Sequence, residues 1–353
     1  MRVAITGANG FVGRNVLALL LEDMPADELR AIVRTPRQAA AELPSADLDI
    51  RVADVTSADS LRGVFDGCDA VVHTVAIPTE RQGSFAAVNV AGTRNVVAEA
   101  ERAGVRRIVH LSAIGASAGS PYPFLRSKGE GEDAVTASRI SHVVLRPSVL
   151  FGPGDDFFPR LGFALHFPIV PVPGDGRARF QPLHVADLAL AIRAGLRRDD
   201  VLGVHEIGGP APVTYRELLA ETMAGYRKRR LTANLPIPLM KIAAFLFERV
   251  MADPPVTVQQ LDLLAVDNTP RSNAMDRCSV SAHGPSKVVD WPIFPTPDRS
   301  SSAQKVFSSG PLAGNISYEN RYRSGVGSVV DGLSGVSVPV RLPDLSLERT
   351  VPA

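Results

Sequence analysis

The run Thr6-Gly-Ala-Asn-Gly-Phe-Val-Gly13 stands between a β-branched segment at residues 3–6 and an apolar-periodic one that begins at Phe11. Glycines at 7, 10 and 13 in that setting leave the chain few options. The first permits a tight turn, the second lets backbone approach a pyrophosphate, and the third allows close helix–sheet packing. The helix start adds unpaired N–H donors and the positive end of a dipole. A glycine pattern alone is weak evidence, but strand, turn and helix at the head of an alternating chain make it specific. Thr6, Gly7, Asn9, Gly10, Phe11, Val12 and Gly13 are the expected phosphate-binding set.

The alternation continues to about residue 150. β-Branched runs at 3–6, 29–34, 50–53, 70–75, 107–112 and 142–147 are separated by stretches at 11–22, 57–66, 85–103 and 125–138 with apolar residues three and four apart. Strand and helix repeated in this way predict an α/β fold, a Rossmann-type doubly wound parallel sheet with helices on both faces. Residues 1–150 are assigned to this nucleotide-binding domain. From 151 to 270 the pattern loosens into proline-rich turns and isolated helices near 185–196, 215–225 and 238–250, which suits a smaller substrate lobe, with 177–199 returning to the first domain. Residues 271–353 hold 15 Ser, 8 Pro and 7 Gly without sustained periodicity, so this tail reads as disordered.

Composition narrows the partners. The chain has 353 residues, 45% hydrophobic and 21% charged, enough for a core in one two-lobed unit or two domains. A formal charge of +1 lacks the broad positive field of a nucleic-acid binder. Cys68 and Cys278 are far apart with no ligand-spaced neighbours, so neither a metal site nor a disulfide framework is expected, and a reducing cytoplasm is the expected location. Residue 2 goes directly into strand-like sequence, so a secretory leader is not expected. The apolar stretch 239–250 contains Lys241, Glu248 and Arg249 and is too short to span a bilayer, so it reads as a packed amphipathic helix and no transmembrane segment is expected. The basic run Arg227-Lys-Arg-Arg230 reads as a solvated turn, with contact to acidic lipid or a partner protein as the alternative.

The end of the second strand selects the cofactor. A carboxylate there would hold a ribose 2′-hydroxyl, but the sequence is Ile32-Val-Arg34-Thr-Pro-Arg37 and the next carboxylate is Glu42. Two guanidiniums without an acid attract a 2′-phosphate, so NADP(H) is favoured over NAD(H). Asp54, beside Val55 after the third strand, is placed to accept from the adenine amino group. Thr74, Val75 and Ala76 end the fourth strand, where the cofactor crosses the sheet.

Several separate motifs carry a resemblance. The opening turn, Asn89-Val-Ala-Gly-Thr-Arg-Asn95, His110-Leu-Ser-Ala113, Ser127-Lys128 and Leu145-Arg-Pro-Ser-Val-Leu-Phe-Gly-Pro153 resemble the extended and atypical short-chain dehydrogenase/reductase superfamily. Residues 146–158, Gln181-Pro-Leu-His-Val-Ala-Asp187 and Glu206-Ile-Gly-Gly-Pro210 look most like the branch of the complex I nucleotide-binding accessory subunit and its bacterial relatives. The likeness covers about residues 1–270. It implies Ser112 as the substrate-binding serine, Lys128 as the lysine on the nicotinamide ribose, Asn89 as the structural asparagine, and Pro147 beside the cofactor. The family's catalytic tyrosine stands four residues before the lysine, one helical turn away, and here that place is Phe124. Tyr122, flanked by Pro121 and Pro123, is the available phenol, in the loop or cap before the helix. His184 reads as satisfied by neighbouring backbone, and Asp155 with Asp156 as a helix cap. The expected function is an NAD(P)(H)-dependent oxidoreductase or epimerase/dehydratase-like enzyme on an unidentified small molecule. The alternative is a non-catalytic nucleotide-binding accessory or redox-sensing protein, acting with a protein partner or as a homodimer.

Overall fold

Six β-branched runs at one pitch of alternation can bury both faces only if helices cover each side, and the chain folds so. In the computed structural model the described residues are 1–278 except 38–42, 44–46, 82, 252, 253, 255 and 265. Strands β1 (Val3–Thr6), β2 (Leu29–Val33), β3 (Asp49–Val52), β4 (Ala70–His73), β5 (Arg107–Leu111) and β6 (Ser141–Pro147) join a seventh, Gly203–Ile207. Their order is Gly203–Ile207, β6, β5, β4, β1, β2, β3, and every pairing is parallel. The direction of winding reverses between β1 and β4, so a crevice opens at their carboxyl ends, where Thr6 pairs in register with His73.

Side chains alternate between two cores as a two-residue period demands. Val3, Ile5, Ala70, Val72, Val143 and Leu145 enter one cluster, with Leu17 and Leu20 of the helix Phe11–Leu20 and Leu188 and Ile192 of the helix Val185–Arg197. Ala4, Val71 and Val144 enter the other, with Phe65, Val96 and Val97. A third cluster, around Phe158, Leu165, Val172, Phe180 and Leu218, holds together the region after residue 150. There the helix Phe157–Ala164 packs on the helix Tyr215–Gly225, and strand Ile169–Pro173 pairs in parallel with Leu231–Leu235.

Four sequence expectations change. The helix expected at 57–66 is only Ala58–Leu61, capped by Ser57. The one expected at 85–103 opens as a π-helix, Ala86–Ala91, before the α-helix Gly92–Arg102. The tail, read as starting at 271, is folded at its beginning: Arg271 and Ala274 donate backbone N–H to Glu206, and Met275 and Cys278 are buried in the first core. Residues 279–353 of that tail lie outside the described residues. Finally, the helix Ile237–Val250 is not packed as its amphipathic reading requires, since Ala244 is its one buried residue. Among the described residues no helix is long and apolar enough to cross a membrane.

Candidate cofactor and active site

The glycine turn is built for contact. Gly7 adopts φ +70°, and the N–H groups of Gly7 and Ala8 both donate to Ile32 O (3.1 and 3.3 Å), fastening the turn to the end of β2. A Cβ on Gly13 would stand 2.1 Å from Gly7 O and 2.8 Å from Ala8 Cα, so only glycine lets the helix start this close to the turn. Gly10 is the helix N-cap and supplies no side-chain acceptor, and no acid stands in the first turn. A bound anion would take that acceptor role. Phe11 and Val12 are half-buried beside it. Arg14, one residue on, donates to Gly154 O (3.2 Å) and ties the turn to the loop before Phe157–Ala164.

Around this turn the expected cofactor residues are spread along the sheet's carboxyl edge. Arg34 and Arg37 are exposed just after β2. Thr74 Oγ1 donates to Thr6 O (2.8 Å), and with Val75 it stands against Gly7, each 3.0 Å from where a Cβ there would be. Ala76 follows, half-buried. Two residues after β3 hold their turn and the core beneath it. Asp54 Oδ1 accepts from the N–H and the hydroxyl of Thr56 (2.9 and 2.7 Å), closing its own turn. Val55 is buried in the second core. Pro147 is buried at the end of β6, its carbonyl accepting from Ile114 N–H (3.2 Å).

The helix Pro123–Thr136 carries the lysine. Lys128 is buried and its Nζ donates to Leu111 O (2.6 Å), which brings the ammonium to the residue next to Ser112. Burial lowers its pKa from 10.5 to about 8, opposed by the charge of Glu132 one turn on. Glu132 is in turn gripped by the Arg146 guanidinium at 2.9 and 2.5 Å. Ser112 is buried and, among the described residues, its hydroxyl has no hydrogen-bond partner. Asn89, in the π-helix, holds the loop after β4 to the lysine helix: it accepts from Ile77 N–H (2.9 Å) and donates to Ser127 Oγ (2.9 Å). Phe124 is half-buried with its ring 6.0 Å from that of Phe85. Tyr122 is the N-cap of this helix, half-buried, with Pro123 at its first position.

The sequence reading missed a histidine pair beneath the crevice. His73 Nε2 faces Thr93 Oγ1 (3.1 Å), whose proton goes to Asn89 O (2.7 Å), so Nε2 must donate. His73 Nδ1 then accepts from Thr6 Oγ1 (2.7 Å). Burial first, and the Lys128 charge second, bring the His73 pKa to about 3, which fixes the ring neutral. The His110 ring stacks on it at 5.3 Å, neither of its nitrogens has a partner among the described residues, and burial holds it neutral also. Their sequence signal was position, each near the carboxyl end of one of two adjacent parallel strands. His184 caps the helix Val185–Arg197, Nδ1 accepting from Ala186 N–H (3.2 Å), and Asp155 accepts from Phe158 N–H (2.9 Å).

Comparison with known proteins agrees with this architecture. Residues 7–156 match the NAD(P)H-binding family model. The chain is 28% identical to the mitochondrial NADH dehydrogenase [ubiquinone] 1 alpha subcomplex subunit 9 of Arabidopsis thaliana, over 77% of this chain and 71% of that one. It is 32% identical to a ceramide reductase of Caulobacter vibrioides, over 58% of this chain and 63% of the relative. Its fold is similar to that of a nucleoside-diphosphate-sugar epimerase from Staphylococcus aureus, at TM-score 0.64 and 18% identity, covering 82% of this chain and 98% of the other. The parallel seven-stranded sheet, the glycine turn and the 7–156 match agree: the chain carries an NAD(P)H-binding domain of Rossmann type and is similar in sequence to a complex I subunit and to reductases.

Proposed function

We propose that the chain is an NADP(H)-dependent oxidoreductase or epimerase/dehydratase-like enzyme acting on a small carbonyl or hydroxyl compound. The observation that carries this reading is the Ser112 hydroxyl, buried without a partner among the described residues. An unpaired buried hydroxyl costs about 1–3 kcal/mol, which a substrate oxygen bound there would recover. Lys128, anchored beside it at Leu111 O, suits a nicotinamide ribose, and its lowered pKa lets it adjust charge near neutral pH. The uncapped helix start and the Gly13 approach fit a pyrophosphate, and the exposed Arg34 and Arg37 suit a 2′-phosphate. When bound, the nicotinamide supplies or accepts the hydride. Ser112 holds the substrate oxygen and Tyr122 provides the proton. The substrate lobe is built from 151–270, and the Phe85–Phe124 contact favours an apolar compound, in keeping with the ceramide reductase relative. Two free, buried thiols, Cys68 and Cys278, suit a reducing cytoplasm.

Phe124 favours a second reading. Phenylalanine offers no proton, and a chain that keeps its nucleotide turn without that phenol suits a non-catalytic accessory role beside a protein partner, as the plant subunit's name suggests for that relative. Calorimetric titration with NADPH, followed by NADPH oxidation against a panel of aldehydes and ketones, separates the two. Turnover that Ser112→Ala removes while nucleotide affinity stays unchanged supports the enzyme. Tight nucleotide binding with no turnover on any carbonyl supports the accessory role.

A further inference from the structure

The strongest unexplained feature lies far from the glycine turn. The helix Ile237–Val250 contains ten apolar side chains of the types Ile, Leu, Met, Ala, Phe and Val, yet buries only Ala244. Leu239, Ile242, Leu246 and Val250 recur at helical spacing along one stripe and are 52%, 60%, 57% and 85% exposed. Phe245 joins them, with the Arg249 guanidinium 4.4 Å from its ring. The strand that leads into this helix adds Leu231, 73% exposed, which pairs in register with the exposed Ile169. A monomeric soluble protein seldom leaves so much contiguous apolar surface in water.

Charge indicates the occupant. From residue 222 to 247 the chain has no acidic residue and five cations, Arg227, Lys228, Arg229, Arg230 and Lys241, in a protein whose formal charge is +1. Lys241 is paired with Asp262 (2.5 Å), so the positive charge concentrates in the turn 227–230. That turn borders an open cleft of about 490 Å³ floored by Met223 and Ala224 and walled by its four cations. It is tied to the end of the helix Phe157–Ala164, since Arg230 donates to Leu165 O (2.9 Å). An exposed apolar helix of about 21 Å, too short to span a bilayer, joined through the strand Leu231–Leu235 to a concentrated basic turn is the chemistry of an interfacial anchor. A second copy of this chain would set like charge against like.

We propose that the exposed apolar face of the helix Ile237–Val250, together with the basic turn 227–230, docks this protein on the headgroup layer of an anionic phospholipid bilayer. The helix enters the acyl boundary and the turn pairs with lipid phosphates, independently of any chemistry at Ser112.

Co-sedimentation of the full chain with vesicles tests this. Phosphatidylcholine vesicles with one third phosphatidylglycerol should pull the protein down and pure phosphatidylcholine should not. Ile242→Glu with Leu246→Glu should abolish binding. Arg227→Gln with Arg229→Gln should weaken it by about thirtyfold and flatten its salt dependence, on the usual contribution of a basic residue near such a surface. Maleimide labelling of an Ile242→Cys variant reports the occupant, because Cys68 and Cys278 are buried. Labelling should be fast in the free protein and slow on adding the anionic vesicles. No sedimentation, or sedimentation indifferent to both double variants, overturns the proposal. Slow labelling without lipid at every protein concentration would mean that the chain's own residues cover the helix, and slowing that grows with concentration would mean a second copy; either overturns it too.

Discussion

Lys128→Met should change how stability depends on pH. In the folded chain the ammonium is buried and its pKa falls from 10.5 to about 8. A base whose folded pKa lies below its unfolded value binds its proton more readily when unfolded, so protonation favours unfolding. At about 1.36 kcal/mol per pKa unit the folded state carries a cost of about 3 kcal/mol below pH 8, which fades as the pH rises toward 10.5. Between about pH 8 and 10 that cost shrinks by about 2 kcal/mol. Methionine keeps the length of the stem and removes the charge, at the loss of the bond to Leu111 O, which contributes roughly 1 to 3 kcal/mol. The two effects nearly offset each other near neutral pH, so the informative quantity is the slope. Urea unfolding followed by far-ultraviolet circular dichroism at several pH values should show the native chain gaining about 2 kcal/mol more than the variant between about pH 8 and 10. Other groups that titrate in this range cancel in the difference. Parallel curves for the two proteins would mean that Lys128 is not desolvated as its burial implies, and the linkage reasoning would fail.

Three further outcomes are expected. NADPH should bind more tightly than NADH by calorimetry and Arg34→Ala should narrow the gap, since Arg34 and Arg37 are exposed at the end of β2 with no carboxylate between them; equal affinities would remove the proposed 2′-phosphate contact. Gly13→Val should reduce affinity for both nucleotides and cost about 1–3 kcal/mol of stability, because its Cβ would fall 2.1 Å from Gly7 O, whereas a silent substitution would show that the turn can open freely. Phe124→Tyr should raise any residual carbonyl turnover, with general acid catalysis contributing roughly a hundredfold to ten-thousandfold, and Tyr122→Phe should abolish native turnover at unchanged nucleotide affinity. Robust turnover indifferent to both changes would exclude a phenol as the proton donor.

Local chemistry made much of this protein legible before folding. Glycine at 7, 10 and 13 after a β-branched run admits very few backbone paths, and alternation of short apolar strands with helical stretches leaves a doubly wound sheet as the economical way to bury both faces. All six strands read from periodicity are present, and the phosphate turn is where its spacing requires. The seventh strand, Gly203–Ile207, escaped because it is an edge strand in which Val204 is exposed, so its pattern lacks the continuous apolar run of the buried strands. At Asp54 the place after β3 was legible, whereas the bonds that its Oδ1 accepts from Thr56 were set by turn geometry.

What only the tertiary structure decided are properties that depend on neighbours distant in sequence. Lysine at 128 is a residue type; its lowered pKa comes from burial between strands and helix, which outweighs the charge of Glu132. The neutrality of His73 follows from burial and the Lys128 charge, and its tautomer from hydroxyls at 6 and 93, which only the crossover brings to one ring. The helix at 237–250 has the apolar spacing of a packed helix, and nothing local distinguishes a stripe that meets a core from one that meets water. Periodicity states that a face must be covered, because apolar surface in water is costly, but which surface covers it is settled by where the rest of the chain ends up.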